Sequence, residues 1–233
     1  MTHHASLRKS RAMMVTAMVT FGTLALFVRK ISVSSGELAL YRAVMATLML
    51  GAYFLISGQR IDFRAIRKEL PLLLISGMAM GINWILLFEA YRYTTVSVAT
   101  LSYYFAPVIV TLACPILFKE KMGVKQWICF AMSTLGIVLI TGIGDLSGGD
   151  THFIGILFGF GAAVLYASVI LLNKFIKGVA GIQRTFLQFV AAVVILLPYV
   201  LCTGGFHLTT MDRIGWVNLR TVGIVHPAIP YCL

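Results

Sequence analysis

Residues 96–142, VSVATLSYYFAPVIVTLACPILFKEKMGVKQWICFAMSTLGIVLITG, hold two long apolar runs separated by a short basic segment, Lys119 to Lys125. A helix rising ~1.5 Å per residue needs about 20 apolar residues to cross the hydrocarbon of a bilayer. Each run is of that length. The stretch predicts two spanning helices, 95–118 and 123–142, with Pro107 in the middle of the first.

The same pattern recurs outward in both directions. Further spans are predicted at 12–30, 36–57, 70–92, 153–174, 182–203 and 215–233; the last contains Arg220, His226, Pro227 and Pro230. Of the 233 residues, 59% are hydrophobic and only 12% charged, with a mean hydropathy of +0.92. Soluble domains carry about 25% charged residues, so the bilayer must act as the solvent for this chain. The expected fold class is an all-α integral membrane protein, a polytopic bundle of about eight transmembrane helices.

A net charge of +11 would point to nucleic acid in a soluble protein. Here the Lys and Arg residues sit between apolar runs, where cytoplasmic loops collect them. The expected partner is therefore the lipid bilayer, with no nucleic acid. With the N-terminus inside, thirteen basic residues fall on inner segments, among them Arg8, Arg60, Lys119 and Lys174. Five fall outside: Arg29, Lys30, Arg92, Arg213 and Arg220. The asymmetry predicts a multi-pass protein of the cell membrane with a cytoplasmic N-terminus. Arg8, Lys9 and Arg11 precede an apolar run as in a signal peptide, but that run ends at Arg29-Lys30 with no small-x-small cleavage site, which predicts a retained first helix.

The chain also repeats itself. FVRKISVSSGELALYRAVMATLML around Lys30 matches LLNKFIKGVAGIQRTFLQFVAAVVILL around Lys174, and LLISGMAMGINWILL matches RTVGIVHPAIPYCL through Gly77 and Gly223. Residues 12–142 form a first five-helix unit and 153–233 a second unit, expected to be incomplete, with three helices of which the last is cut short. Five helices is an odd number, so the second copy enters the membrane inverted, an arrangement used by secondary transporters.

Within the units, polar and aromatic residues recur at helical spacing. Thr16, Thr20, Thr23 and Phe27 share a face, as do Thr100, Tyr104, Pro107 and Thr111 on 95–118. Gly77, Gly81, Trp84, Phe88 and Tyr91 form a third stripe, and Gly155, Gly159, Ala162, Tyr166 and Asn173 a fourth. Polar stripes in a bilayer avoid lipid. The Thr and Gly positions predict helix packing, and the two GxxxG pairs predict packing within the bundle rather than a dimer face, although a homodimer is allowed. Thr20, Thr23, Trp84, Tyr103, Tyr104 and Tyr166 are the candidate substrate-lining residues, expected to converge on a central cavity within a compact bundle of the first five helices. Glu89 and Arg42, charges within spans, are candidates for coupling or gating, with snorkelling or interfacial pairing as the alternative. Pro107 and Glu120 are expected to be structural.

Enzymatic readings find little support. Gly142 to Asp145 reads GxGD, the pattern of intramembrane aspartyl proteases, but that chemistry needs a second carboxylate and no other Asp lies in a span. His3-His4 is too short and terminal for a metal site, no HExxH or P-loop occurs, and the four cysteines form no CxxC pair. No catalytic residue, metal or cofactor is expected.

The central proline of 95–118, Glu120 past its end, Trp127 opening the next helix and the glycines Gly136 and Gly142 together resemble the end of an EamA-type domain. SSGELALYRAVMATLML, with Arg42, resembles the second helix of that domain. The chain is thus similar to drug/metabolite transporter superfamily proteins of EamA type, C-terminally truncated. The resemblance implies secondary transport of small organic solutes (amino acids, metabolites or drug-like compounds) by alternating access. The alternative expectation is a non-transporting remnant, or a partner subunit that completes another chain.

Overall fold

The structure, a computed structural model, describes residues 33–58, 63–119, 123–141, 149–179, 181–203 and 213–225, together with 13, 15–16, 19, 23, 27–28, 31 and 206. All secondary structure among them is helical. The described residues between Met13 and Val28 are helical. After them come α1 (Ser35–Ser57), α2 (Phe63–Tyr93), α3 (Val96–Tyr103), α4 (Ala106–Phe118), α5 (Val124–Thr141), α6 (Gly149–Phe175), α7 (Gly181–Cys202) and α8 (Arg213–Arg220), which runs on into a π turn at Thr221–Val225.

Local chemistry sets these boundaries. Ser34 caps α1 by accepting the Glu37 N–H at 3.1 Å, and Gly58 ends it in the left-handed region at φ 63°, where glycine pays no Cβ penalty. Thr95 caps α3 in the same way, accepting from Val98 at 3.3 Å.

Two spans differ most from their sequence reading, and residues 226–233 of the predicted span 215–233 lie outside the described residues. The predicted 95–118 helix is broken between α3 and α4. Pro107 has no N–H to offer the Tyr103 carbonyl, and its ring crowds that carbonyl. The chain tightens first, with Tyr104 N–H donating to both Thr100 and Leu101 at 3.0 Å and Phe105 N–H to Ser102 at 3.3 Å. It then restarts with Pro107 in the first turn of α4, where a missing donor costs nothing. The face expected from Thr100 through Tyr104 to Thr111 is therefore not continuous. In contrast, α2 begins at Phe63, before the predicted 70, so part of the expected polar loop 58–69 is helical. At 31 residues, α2 is ~46 Å long and exceeds the hydrocarbon core by several turns.

Five stretches among the described residues are long and apolar enough to cross a bilayer: Ser35–Ser57, Ile66–Tyr93, Val96–Phe118, Thr151–Phe175 and Gly181–Cys202. Large apolar side chains such as Leu55, Ile56, Ile116 and Met132 are 70–87% exposed; lipid is the environment that accepts such surfaces.

The packing does not isolate the first five helices as a bundle. α2 lies against α6 and α7, α1 against α7, and α3 and α4 against α6. Small residues make these approaches possible. A Cβ on Gly77 would stand 2.5 Å from the Gln188 carbonyl oxygen and 2.6 Å from Ala191 Cβ. On Gly159 it would stand 2.8 Å from Ser102 Cβ, and on Gly155 2.7 Å from Thr94 Cβ. Both GxxxG pairs thus serve packing within the bundle. Ala39, Ala43, Ala162, Ala163 and Ala192 have 0% exposure, close-packed along the same seams.

Candidate substrate pathway between the helices

A cavity of about 560 Å³ opens where the start of α1 meets the end of α2. α1 and the residue before it contribute Ser34, Ser35 and Leu38; α2 contributes Phe88, Tyr91 and Arg92. The apolar Val28, Ile31 and Val33 complete the wall. The size suits a small organic molecule. This end of the bundle is held together by Thr94 Oγ1, which hydrogen-bonds His152 Nδ1 at 2.7 Å and so joins the end of α2 to the start of α6.

Below the cavity lies a buried cation. Arg42, 4% exposed, has its guanidinium 4.6 Å from the centre of the Trp84 ring and 5.7 Å from that of Phe88. Trp84 in turn lies 5.6 Å from Phe189 of α7. A desolvated cation over aromatic faces gains ~2 kcal/mol, which offsets part of the cost of placing a charge at bilayer depth. On the other flank, Tyr103 and Tyr166 rings lie 5.3 Å apart, Tyr91 Oη is 3.4 Å from Thr100 Oγ1, and buried Asn83 donates its amide N–H to the Ala162 carbonyl.

The opposite end is latched by polar groups. Gln188, 3% exposed, uses its amide nitrogen to donate to Ser76 Oγ of α2 and Asn173 Oδ1 of α6, each at 2.5 Å. Arg184 Nη1 donates to the carbonyls of Asn173 at 3.0 Å and Ile176 at 3.3 Å. Glu69 Oε1 accepts the backbone N–H groups of Lys177 at 3.1 Å and Gly178 at 2.8 Å, so the start of α2 grips the turn between α6 and α7. Phe118 stacks 4.8 Å from Phe175 at this end, with Lys174 Nζ 4.1 Å over its ring.

The candidate residues fall into separate groups. Arg42 and Trp84 come together, as do Tyr103 and Tyr166. Tyr104 stands at the α3–α4 break, 51% exposed, and Thr23 is half-buried. None of the described candidates for lining is among the walls of the 560 Å³ cavity; Phe88 and Tyr91 of the same α2 stripe are. Glu89 pairs with Arg92 at 3.4 Å on the accessible surface of α2. Pro107 sits at the break. Thr20, Glu120 and the GxGD motif lie outside the described residues. Sequence reasoning passed over Glu37, Ser76, Asn83, Gln188 and Asn218, all buried. Two signals were present: amides and a hydroxyl within apolar spans, and the S-x-x-E spacing of Ser34 and Glu37, which marks a helix start.

This helical arrangement is also found among known proteins. One solved crystal structure superposes with a TM-score of 0.71 at 17% identity, covering 94% of this chain and 75% of that one. Residues 9–142 match the EamA-like transporter family. The chain belongs to that family. Like other EamA-like proteins, it is a multi-pass membrane protein and a membrane transporter. It is 33% identical over 232 residues to the uncharacterized transporter YxxF of Bacillus subtilis (strain 168), covering 98% of this chain and 74% of YxxF. It is 27% identical over 164 residues to the uncharacterized inner membrane transporter YhbE of Escherichia coli (strain K12), covering 68% of this chain and 51% of YhbE.

Proposed function

We propose that the chain moves small organic solutes across the cell membrane by alternating access, with the N-terminus and the Glu69 end of the bundle in the cytoplasm. Helices of the first repeat would rock against those of the second around a fixed site. The observation that carries this reading is an asymmetry between the two ends of the bundle: a solute-sized cavity at the Ser34 end, walled by residues of the first unit, and the Gln188–Ser76–Asn173 and Glu69–Gly178 contacts between the units closing the Glu69 end. In this reading the structure is the outward-facing state. The direct packing of α1 on α7 supports the inverted repeat, because these are the second helices of the two units. The basic residues Arg67, Lys68, Lys119, Lys174 and Lys177 cluster at the Glu69 end, which supports placing it inside.

Two measurements test the proposal. Reconstituted into liposomes and screened with pooled labelled metabolites, the protein should give saturable counterflow of at least one solute. Single cysteines at Ser57 and Ser147 in intact cells should react with impermeant maleimide from opposite sides. Labelling of both from one side would discard the orientation, and an absence of counterflow across the pool would discard the transport cycle.

A further inference from the structure

The start of α1 forms the polar end of the cavity. An α-helix leaves its first N–H groups without partners inside the helix. In α1 the Glu37 N–H goes to Ser34 Oγ at 3.1 Å and the Leu38 N–H to the Ser34 carbonyl at 3.0 Å. The N–H groups of Ser35 and Gly36 are left over. Gly36 packs on α7, where a Cβ would stand 2.6 Å from Tyr199 Cε1, whereas Ser35 lines the cavity. Ser35 is 3% exposed, and its hydroxyl has no hydrogen-bond partner among the described residues. Its oxygen is nevertheless not sealed in the core, as Glu37 Oε2 and Asn83 Oδ1 are. A buried hydroxyl left without a partner is costly, and here the open side is the cavity. The rest of the wall is apolar or engaged. Val28, Ile31, Val33, Leu38 and Phe88 offer no polar side-chain group. Tyr91 Oη lies 3.4 Å from Thr100 Oγ1, and Arg92 is paired with Glu89.

We infer that the cavity takes an uncharged amphiphile whose polar head is a carbonyl, as in a ketone, ester or amide. The carbonyl oxygen accepts from the Ser35 hydroxyl and N–H, and the apolar body lies along Val33, Leu38 and Phe88. The inference rests on the transport reading above. A carbonyl oxygen has two lone pairs and suits two neighbouring donors. Charge decides against the other heads. The positive end of a helix dipole amounts to about half an elementary charge, and in α1 it already has Glu37 in its first turn. A carboxylate head would give up its hydration to stand beside that acid. An ammonium head would face the helix N-terminus and Arg92, both positive.

The test uses the full chain in lipid nanodiscs and four probes of one size that differ in the head: 4-phenylbutan-2-one, 3-phenylpropanamide, 3-phenylpropanoate and 3-phenylpropylamine. Val33 lines the cavity, so protection of Val33→Cys from a small methanethiosulfonate, with the native cysteines replaced, reads occupancy of this site rather than partition into lipid. At neutral pH the ketone and the amide should protect, and the acid and the amine should not at the same concentrations. Ser35→Ala, which leaves the Ser34 cap in place, should weaken ketone binding about three- to tenfold, the range for one neutral hydrogen bond. Ser35→Thr, which keeps the hydroxyl, should hold it within about twofold. Should Ser35→Ala fail to fold, the probe series with Ser35 intact still decides. Acid or amine binding as tight as the ketone, no protection by ketone or amide, or ketone binding unchanged in Ser35→Ala would overturn the inference. Counterflow of a solute in the pooled screen without protection by ketone or amide keeps the transport reading and removes this site. Protection by both without counterflow of any solute keeps the site and removes the transport reading.

Discussion

Gln188 holds three helices together through one amide, so replacing it should open the Glu69 end. Its nitrogen donates to Ser76 on α2 and Asn173 on α6 from α7, at 2.5 Å each. Leucine has nearly the same volume, so Gln188→Leu leaves the packing and deletes both bonds. Interhelical hydrogen bonds within membranes average ~0.6 kcal/mol and reach ~1.7. Two of them amount to ~1–3 kcal/mol, a shift in the closed–open balance of about 5–150-fold. The lower figure applies if the Ser76 hydroxyl turns back to its own helix backbone.

The opening can be read with a cysteine at Leu73, which is 1% exposed in a small cluster with Ile66, Ile176 and Val179 at this end. In a background with the four native cysteines replaced, maleimide should modify Leu73→Cys slowly in the parent. The rate should rise by the factor above once Gln188→Leu is added. A double-mutant cycle with Ser76→Ala should show coupling of ~0.6 kcal/mol or more. A labelling rate within about twofold of the parent, together with additive stability losses, would mean that Gln188 only fills space, and the latch argument would fall.

Other substitutions probe different parts of the structure. Gly77→Leu places side-chain carbon where a Cβ already meets Gln188 backbone at 2.5 Å; the α2–α7 seam must part, and thermal stability should fall by ~1–3 kcal/mol or more. Glu89→Gln breaks an accessible i,i+3 pair and should change stability by no more than about 0.5 kcal/mol; a loss of flux well beyond that would mark Glu89 as a coupling residue. Pro107→Ala removes the crowding of Tyr103 and returns a donor, so the α3–α4 break should straighten and amide exchange at Phe105 and Ala106 should slow. Unchanged exchange would show that packing against α6, rather than proline, keeps the break.

The spans were legible because hydrocarbon thickness imposes a length. α1 and α7 begin and end within a residue of the reading from apolar runs, 36–57 and 182–203. The start of α2 was not legible in this way. Arg64 to Glu69 is polar, and hydropathy separates lipid from water, not helix from loop. The α3–α4 break was half legible: Pro107 was visible as a central proline, but membrane helices often absorb one by re-satisfying the freed carbonyl, and only the neighbouring helices decide. The convergence of aromatic residues was legible as stripes but not as partners. Trp84 and Tyr104 each sit on a plausible face, yet one meets Arg42 and the other stands at a break, because helix rotation depends on contacts with α6 and α7.

The buried polar residues follow a different logic. Ser76, Asn83, Gln188 and Asn173 lie on α2, α6 and α7, and their described bonds run between these helices. In a soluble core, apolar burial would favour this contact whichever way the helices slid. Between membrane helices that driving force is absent, because lipid is as apolar as leucine. Register must then come from close small-residue contacts and from a few directed bonds. Gly77 and Gln188 combine both at one crossing: the glycine lets the α7 backbone approach, and the amide binds the neighbouring residue of α2, Ser76. A seam held by small residues and few bonds, each near ~0.6 kcal/mol, can be parted for a few kcal/mol. A cycle of opening and closing requires a seam of that kind, and a leucine-filled interface locked by shape would resist it.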